Sequence, residues 1–208
     1  MIPHIVDLIA VGVFAISGCL AAGRKQLDLM GVFIIAVVSA VGGGTLRDLL
    51  LNRHPIAWIA DPAYLFIIIG AVAVTYIFLR GRRPPQQLLG LVDGVGLSLY
   101  SIAGAYTAEQ CGKGGIVAVI MGTMTATAGG VIRDTLCNEV PLLLKGKYLY
   151  ASAAMSGAGC YVILQMIDVP QWWAALLGMG VVGTLRFGSI LNEWSLPVLK
   201  IDDEWKGI

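Results

Sequence analysis

The sequence predicts an all-α membrane protein with seven transmembrane helices, arranged as two inverted three-helix repeats and a seventh helix. Three observations predict this fold class. The chain is strongly apolar, it contains seven apolar stretches long enough to cross a bilayer, and one motif occurs twice inside two of those stretches. We therefore expect the 208 residues to form a single transmembrane domain.

The composition excludes a water-soluble fold. Hydrophobic residues make up 57% of the chain and charged residues 13%, whereas soluble domains carry about 25% charged residues. A soluble domain of this size could not bury so much apolar surface, so membrane lipid is an expected partner. The formal net charge of +1, without a basic patch, indicates no nucleic-acid partner.

The apolar stretches have the length of membrane spans, which take about 20 residues each. The first ends at Gly23-Arg24-Lys25, and no basic region precedes it, so we expect it to stay as a helix rather than be cleaved as a signal. The third ends at a basic run that begins at Arg80, and the seventh carries small residues suited to close packing. The seven lie at about residues 5–22, 29–51, 62–79, 88–108, 115–137, 148–167 and 172–191.

One motif is duplicated. Gly43-Gly44-Thr45-Leu46-Arg47-Asp48 in the second stretch returns as Gly129-Gly130-Val131-Ile132-Arg133-Asp134 in the fifth, 86 residues later. The same spacing, without a gap, pairs Asp7 with Asp93 and Tyr64 with Tyr150. The chain is thus predicted to consist of repeat one (about 1–85), repeat two (about 86–170), a seventh helix (about 171–192) and a cytoplasmic tail (193–208).

The number of helices in each repeat predicts the topology. Because three is odd, the second copy must enter the membrane from the opposite side, which makes the repeats inverted. Loop charge sets the orientation, and the basic side should be cytoplasmic in the plasma (inner) membrane, with the N-terminus outside and the C-terminus inside. The other side holds only Arg53 and Lys113. The basic side holds Arg24, Lys25, Arg80, Arg82, Arg83, Lys145, Lys147, Lys200 and Lys206.

Glycines interrupt the second and fifth stretches, at Gly42-Gly43-Gly44 and at Gly129-Gly130. Glycine costs about 1 kcal/mol relative to alanine inside a helix, so these clusters predict a break or a kink. A break frees carbonyl groups, which in a hydrated cavity can coordinate a cation. The alternative is that the glycines only allow two helices to cross closely.

Arg47 and Arg133 are charged residues at membrane depth, where charges usually face the interior of the bundle or a hydrated path. We expect both to project into the protomer and to gate that path from its two ends. The alternative is a structural ion pair that locks the helix to a neighbour. Adjacent helical residues do not face each other, so Asp7 and Asp93 are candidate partners besides Asp48 and Asp134.

Small polar residues on the same helices are predicted to line the path. Taken singly, each is more typical of a hydrogen bond between helices or to the preceding turn, and only their concentration favours a path. These residues are Ser17, Ser39, Thr45, Thr125 and Thr127.

Catalytic and metal-binding patterns are not apparent. The sequence shows no nucleotide-binding loop, nucleophile–base set or paired-acid site, so we expect a protein that is not an enzyme and uses no cofactor. The four cysteines form no C-x-x-C pair and the two histidines lie far apart, which predicts neither a disulfide framework nor a resident metal site.

The two Gly-Gly-x-x-Arg-Asp motifs, in two three-helix halves followed by a seventh helix, resemble bacterial members of the trimeric intracellular cation channel family. The similarity covers nearly the whole chain. It implies a homotrimer with one potassium-permeable pore inside each protomer, and helix breaks at Gly43-Gly44 and Gly129-Gly130. Bacterial relatives of this family are also labelled glycine transporters.

Three functional hypotheses stay open at this point. The first is a passive channel for monovalent cations, and the second is a transporter for a small zwitterion such as glycine, whose carboxylate a half-helix N-terminus can hold. The third is a structural membrane protein whose polar residues only join helices. Size favours the channel, because 208 residues leave little room for separate rocking bundles.

Overall fold

The computed structural model describes residues 2–81, 84–85, 87–145 and 149–197, without the side chains of residues 2 and 3. Within these ranges the chain is helical, with eight α-helices and one short 3₁₀ helix at Leu142–Leu144. The predicted all-α membrane fold is confirmed. The helices are α1 (Ile2–Arg24), α2 (Leu29–Leu50), α3 (Ala57–Ala60), α4 (Ala63–Leu79), α5 (Leu88–Gln110), α6 (Gly115–Leu136), α7 (Ala151–Met166) and α8 (Gln171–Asn192).

Seven of the eight helices coincide with the seven predicted stretches. Five of them, α1, α2, α5, α6 and α8, are long and apolar enough to cross a membrane, and α4 is a shorter apolar helix. The basic residues predicted at positions 82, 83, 147, 200 and 206, and the tail beyond residue 197, lie outside the described residues.

The eighth helix, α3, is a single turn that the sequence analysis missed. It follows α2, and the 3₁₀ helix Leu142–Leu144 follows α6 at nearly the corresponding place in the second repeat. Segments of three and four residues are too short to produce a hydrophobic period. Both matter for the site, because each donates a backbone N–H to it.

The glycine clusters lie where α2 and α6 cross. A Cβ atom added to Gly43 would collide with the Thr125 carbonyl oxygen, and one added to Gly129 would collide with the Ser39 carbonyl oxygen. The contact is reciprocal, since Ser39 and Thr125 are themselves 86 residues apart. Glycine at both positions lets the two backbones touch.

The predicted helix break at Gly42–Gly44 and at Gly129–Gly130 is wrong. The structure has one continuous α-helix from Leu29 to Leu50 and another from Gly115 to Leu136. The close crossing explains the glycines without any unwinding. Free carbonyls for potassium are therefore not supplied by a break, and a bend at these positions stays a prediction.

Helix α8 has no counterpart in the duplicated halves and packs against α5 and α7 through one buried stripe. The Gly178 carbonyl lies so close to Gly157 that a Cβ there would approach it to 2.7 Å, which shows how tightly α7 and α8 are packed. The stripe consists of Ala174, Gly178, Val182, Arg186 and Ser189. Its one charged member, Arg186, reaches the site described next.

Candidate functional site

The first arginine cluster joins α1, α2 and α4. The Arg47 guanidinium donates from Nε to Asp48 Oδ1 (2.9 Å) and from Nη1 to Asp7 Oδ1 (3.3 Å). Tyr64 donates its hydroxyl to the other oxygen of Asp7, at 2.6 Å. These four residues, Asp7, Arg47, Asp48 and Tyr64, are all buried. The Arg47 guanidinium is thus held between two carboxylates.

Asp48 is fixed by further donors. The backbone N–H of Ala57, at the start of α3, donates to Asp48 Oδ2 at 3.0 Å. The half-exposed Arg53 brings Nη1 to within 3.5 Å of Asp48 Oδ1. Neighbouring residues on a helix were not expected to face each other. The Arg47 side chain is nevertheless long enough to reach the carboxylate of Asp48.

The second arginine cluster repeats this arrangement 86 residues later, on α5 and α6. Arg133 donates from Nη1 to Asp93 Oδ1 (2.6 Å) and from Nε to Asp134 Oδ1 (2.8 Å). The 3₁₀ helix supplies the backbone donor, since Leu142 N–H lies 2.9 Å from Asp134 Oδ2. The second cluster consists of Asp93, Arg133, Asp134 and Tyr150. The predicted partners of both arginines are therefore found in place.

The two clusters differ in how tightly they are enclosed. Arg133 also donates from Nη1 to the hydroxyl of Ser17 on α1, whereas the position 86 residues after Ser17 holds Ala103, which has no side-chain acceptor. A Cβ on Gly130 would lie 2.6 Å from the Tyr150 hydroxyl, whereas one on Gly44 would find only Arg47 Nη2, at 3.8 Å. The second cluster is closely packed and the first is open.

A third buried arginine, Arg186, packs against the second cluster. Arg186 on α8 places its guanidinium carbon 4.8 Å from the centroid of the Tyr150 ring, a cation–π distance. Its stem packs on Gly94, next to Asp93, where a Cβ would come within 2.9 Å of Arg186 Cγ. The sequence analysis missed this residue, although a charge inside the seventh apolar stretch was the available signal.

Two cavities open at opposite ends of α1. The first has a volume of about 430 Å³ and is lined by both arginines of its end, Arg47 and Arg53, with Asp7, Tyr64 and the α5 terminus. The second, of about 160 Å³, is lined by Asp134 and by the charged residues Arg24, Lys25, Glu139 and Lys145. Each cavity therefore reaches one arginine cluster.

The mouth of the second cavity is crossed by an ion pair. Lys25 Nζ lies 2.6 Å from Glu139 Oε1, and Lys145 Nζ lies 3.9 Å from the other oxygen of Glu139. The hydrogen bond and charge of Lys25 hold the pKa of the Glu139 carboxyl below its usual value. This pair connects the end of α1 to the loop that follows α6.

The interior between the clusters is filled. Asp7 and Ser17, which mark the two clusters on α1, are ten residues apart, or about 15 Å along the helix. Phe14 and Tyr100 are buried in this interval, and the Tyr100 hydroxyl donates to the Ala40 carbonyl at 3.1 Å. Packed side chains therefore lie between the two clusters.

The predicted path-lining hydroxyls mostly bond within their own helices. Thr45, Thr125 and Thr127 donate to the carbonyl four residues before them, at 2.6–2.9 Å. Thr45 also accepts from Trp58 Nε1 at 3.0 Å. Ser39 is fully buried at the α2–α6 crossing. Ser17, by contrast, accepts a hydrogen bond from Arg133 of the second cluster.

The sequence analysis did not assign the two cluster tyrosines to the arginine sites. Tyr64 is 5% exposed and donates its hydroxyl to Asp7. Its counterpart Tyr150 is 2% exposed. The signal was their fixed spacing of 86 residues, which pairs them with Asp7 and Asp93 in the repeat.

Known proteins resemble the chain over most of its length. A family model described as "Glycine transporter" matches residues 4–80 and again residues 90–166, two segments that are 86 residues apart at both ends. The UPF0126 inner membrane protein YadS of Escherichia coli (strain K12) is 35% identical over 205 residues, which cover 98% of this chain and 99% of that protein. A UPF0126 membrane protein of Deinococcus radiodurans is 38% identical over 201 residues, or 96% and 93% of the two chains.

A solved structure is also similar. It is that of the TRIC trimeric intracellular cation channel orthologue from Rhodobacter sphaeroides, with a TM-score of 0.87 and 35% identity over 91% of this chain and 97% of that one. The sequence relatives and the structural relative each match more than 90% of this chain. This chain belongs to the family that the glycine-transporter model describes, and it is a bacterial member of the trimeric intracellular cation channel family.

Proposed function

We propose that this protein is a passive channel for monovalent cations, with potassium as the physiological ion and one path inside each protomer. One observation carries the proposal. Two buried clusters, each with a guanidinium between two carboxylates, contact α1 at two levels, and each borders a polar cavity. The path runs from the first cavity past Arg47, through the Phe14–Tyr100 interval and past Arg133 to the second cavity.

The charge of the clusters answers the main objection to a cation path. A lone arginine in a narrow path would repel cations. Here Arg47 faces the carboxylates of Asp7 and Asp48, and Arg133 faces those of Asp93 and Asp134. Each such set of three has a formal charge of −1, so neither Arg47 nor Arg133 stands in the path as an unneutralised positive charge.

The fold that supports this path is proposed to contain seven spans, with inverted repeats at about 1–85 and 86–170. The reciprocal contacts of Gly43 with Thr125 and of Gly129 with Ser39 support this arrangement, because a twofold axis between α2 and α6 would exchange them. The predicted orientation puts the first cavity outside and the second in the cytoplasm. The described basic residues Arg24, Lys25, Arg80 and Lys145 then lie on the cytoplasmic side.

The assembly is proposed to be a homotrimer in the inner membrane. The support is the trimeric description of the structural relative and the inner-membrane description of YadS. Large apolar side chains are exposed along α4, among them Phe66, Ile77 and Phe78. Surfaces of this kind suit contact with membrane lipid or with a second protomer. No catalytic role is proposed.

A transporter for a small zwitterion is the second candidate. The description of the family model favours it, and the first cavity holds both a carboxylate, Asp7, and the guanidinium groups of Arg47 and Arg53. A zwitterion would need to separate charges that already neutralise each other, because Arg47 is bonded to Asp7. That pairing favours the channel.

Ion flux separates the two candidates. Liposomes that contain the purified protein should release potassium down its gradient, at a rate that keeps rising with the potassium concentration. They should not accumulate labelled glycine. Empty liposomes and liposomes with the Arg47→Gln and Arg133→Gln proteins are the controls. Glycine uptake without potassium flux would reject the channel and support the transporter.

A further inference from the structure

The proposed path has two constrictions, one at each arginine cluster. We infer that Arg186 of α8 sets the charge of the second constriction and thereby the conductance and the cation preference of the path. This inference rests on the proposed channel function. It assigns a specificity-determining role to a residue outside the duplicated halves. The observations that carry it are the burial of Arg186, its position on Tyr150 and the difference between the two clusters.

Arg186 is built into the second cluster. The side chain is 1% exposed, its stem lies on Gly94 and its guanidinium lies over the Tyr150 ring. A Cβ on Gly130 would lie within 3.6 Å of the Tyr150 hydroxyl, Asp93 Oδ1 and Arg133 Nη2 alike. The Tyr150 ring, over which Arg186 lies, therefore has its hydroxyl beside the ion pair of Arg133 and Asp93.

Within the part of the chain that the structure describes, the first cluster has no second buried arginine beside Arg47. The position 86 residues before Gly94 holds Leu8, which carries a branched side chain where Gly94 has none. The additional cation at the first end is Arg53, which is half exposed and borders the open cavity. Water and salt screen such a charge, whereas a buried charge is screened much less.

The consequence is a different charge at the two constrictions. At the second, Arg133 and Arg186 balance Asp93 and Asp134, so the formal charge is zero. At the first, the buried set of Asp7, Arg47 and Asp48 keeps a formal charge of −1. A cation crossing the path meets its larger electrostatic barrier at the second constriction, and Arg186 is the group that raises it.

The test is the current and reversal potential of the purified channel in planar bilayers under a KCl gradient. Arg186→Gln should raise the potassium conductance and the potassium-to-chloride permeability ratio on the order of tenfold, the factor expected for one unit charge at about 10 Å and an effective dielectric constant of about 20. Arg186→Lys should stay near the wild type, because it keeps the charge. Arg80→Gln is the matched control and should change the ratio much less, because Arg80 is exposed at the end of α4 and lines neither cavity.

A histidine variant keeps the test decisive if Arg186→Gln does not fold. In Arg186→His the permeability ratio should be higher at pH 8 than at pH 5.5, because the imidazole loses its charge, while the wild type should show no such change. Unaltered conductance and permeability ratio in folded Arg186→Gln, or no pH effect in Arg186→His, would overturn the inference. A wild-type protein that carries no cation current would instead reject the proposed function itself.

Discussion

The ring of Phe14 stacks on the ring of Tyr100, with centroids 5.3 Å apart and planes inclined by 22°. These residues are 86 positions apart, so they occupy equivalent positions in the two repeats and contact each other. The pair lies between the two arginine clusters. In the proposed channel it is the packing that must move, or be hydrated, when a cation passes.

Replacing Phe14 by alanine should open this interval. Loss of the ring leaves a cavity and should cost about 3–5 kcal/mol of folding free energy, seen as a lower melting temperature in detergent. Potassium flux per folded protein should rise, because less packing separates the clusters. The Phe14→Leu protein is the milder control. Unchanged flux in a folded Phe14→Ala protein would show that the path runs elsewhere.

The crossing glycines should tolerate no side chain. Gly43→Ala and Gly129→Ala each force a methyl group into a carbonyl oxygen of the facing helix, and overpacking of this kind costs about 1–3 kcal/mol. Thermal unfolding in detergent measures the loss. Gly70→Ala on α4 is the matched control, because a Cβ there meets nothing within 4 Å. Equal melting temperatures for all three variants would contradict a close α2–α6 crossing.

The glycines beside the clusters should respond differently from each other. Gly130→Ala places a methyl group against the Tyr150 hydroxyl and should alter flux, whereas Gly44→Ala has room and should behave like the wild type. Parallel flux and melting measurements on the two proteins check this. A larger effect at Gly44 than at Gly130 would mean that the first cluster is the more closely packed one, contrary to the structure.

Removing either cluster arginine should leave two buried carboxylates without their cation. Arg133→Gln is expected to lower stability by about 3–5 kcal/mol, and Arg47→Gln by less, because Arg47 borders the first cavity and water can reach Asp7 there. Adding Asp93→Asn to Arg133→Gln should restore part of the loss. The account would be wrong if the double variant were less stable than the sum of the two single changes predicts.

The Lys25–Glu139 pair should give a small pH dependence of stability. Lys25 lowers the pKa of Glu139 in the folded protein, so the pair stabilises the fold above the usual glutamate pKa and loses this effect as the pH falls through the lowered value. Comparing the melting temperatures of the wild type and Glu139→Gln across acid pH checks the sign. A gap between them that widened toward low pH would contradict it.

Much of the fold could be predicted from the sequence, because membrane spans and a fixed spacing are strong signals. The spacing of 86 residues also paired Asp7 with Asp93, and these proved to be the acids that hold Arg47 and Arg133. The helix break was predicted wrongly, since glycine clusters serve close crossings as well as breaks. The unbroken helices and the facing carbonyls of Ser39 and Thr125 distinguish the two cases.

The asymmetry of the two clusters could not be predicted from the repeat. It depends on Ser17 facing Arg133 while Ala103 stands at the other end, and on Arg186 reaching Tyr150 from a helix outside the repeat. The small helices that bring Ala57 and Leu142 to the aspartates are too short to leave a periodic pattern. These contacts become visible only when the helices are assembled.

The central claim is that a monovalent cation passes through each protomer between the two clusters. Recording the purified protein in a planar bilayer under a KCl gradient tests it most directly. We predict discrete current steps that reverse near the potassium equilibrium potential and that change when Arg47 or Arg133 is replaced by glutamine. The absence of such steps from folded, correctly inserted protein, or currents indifferent to both replacements, would contradict the account.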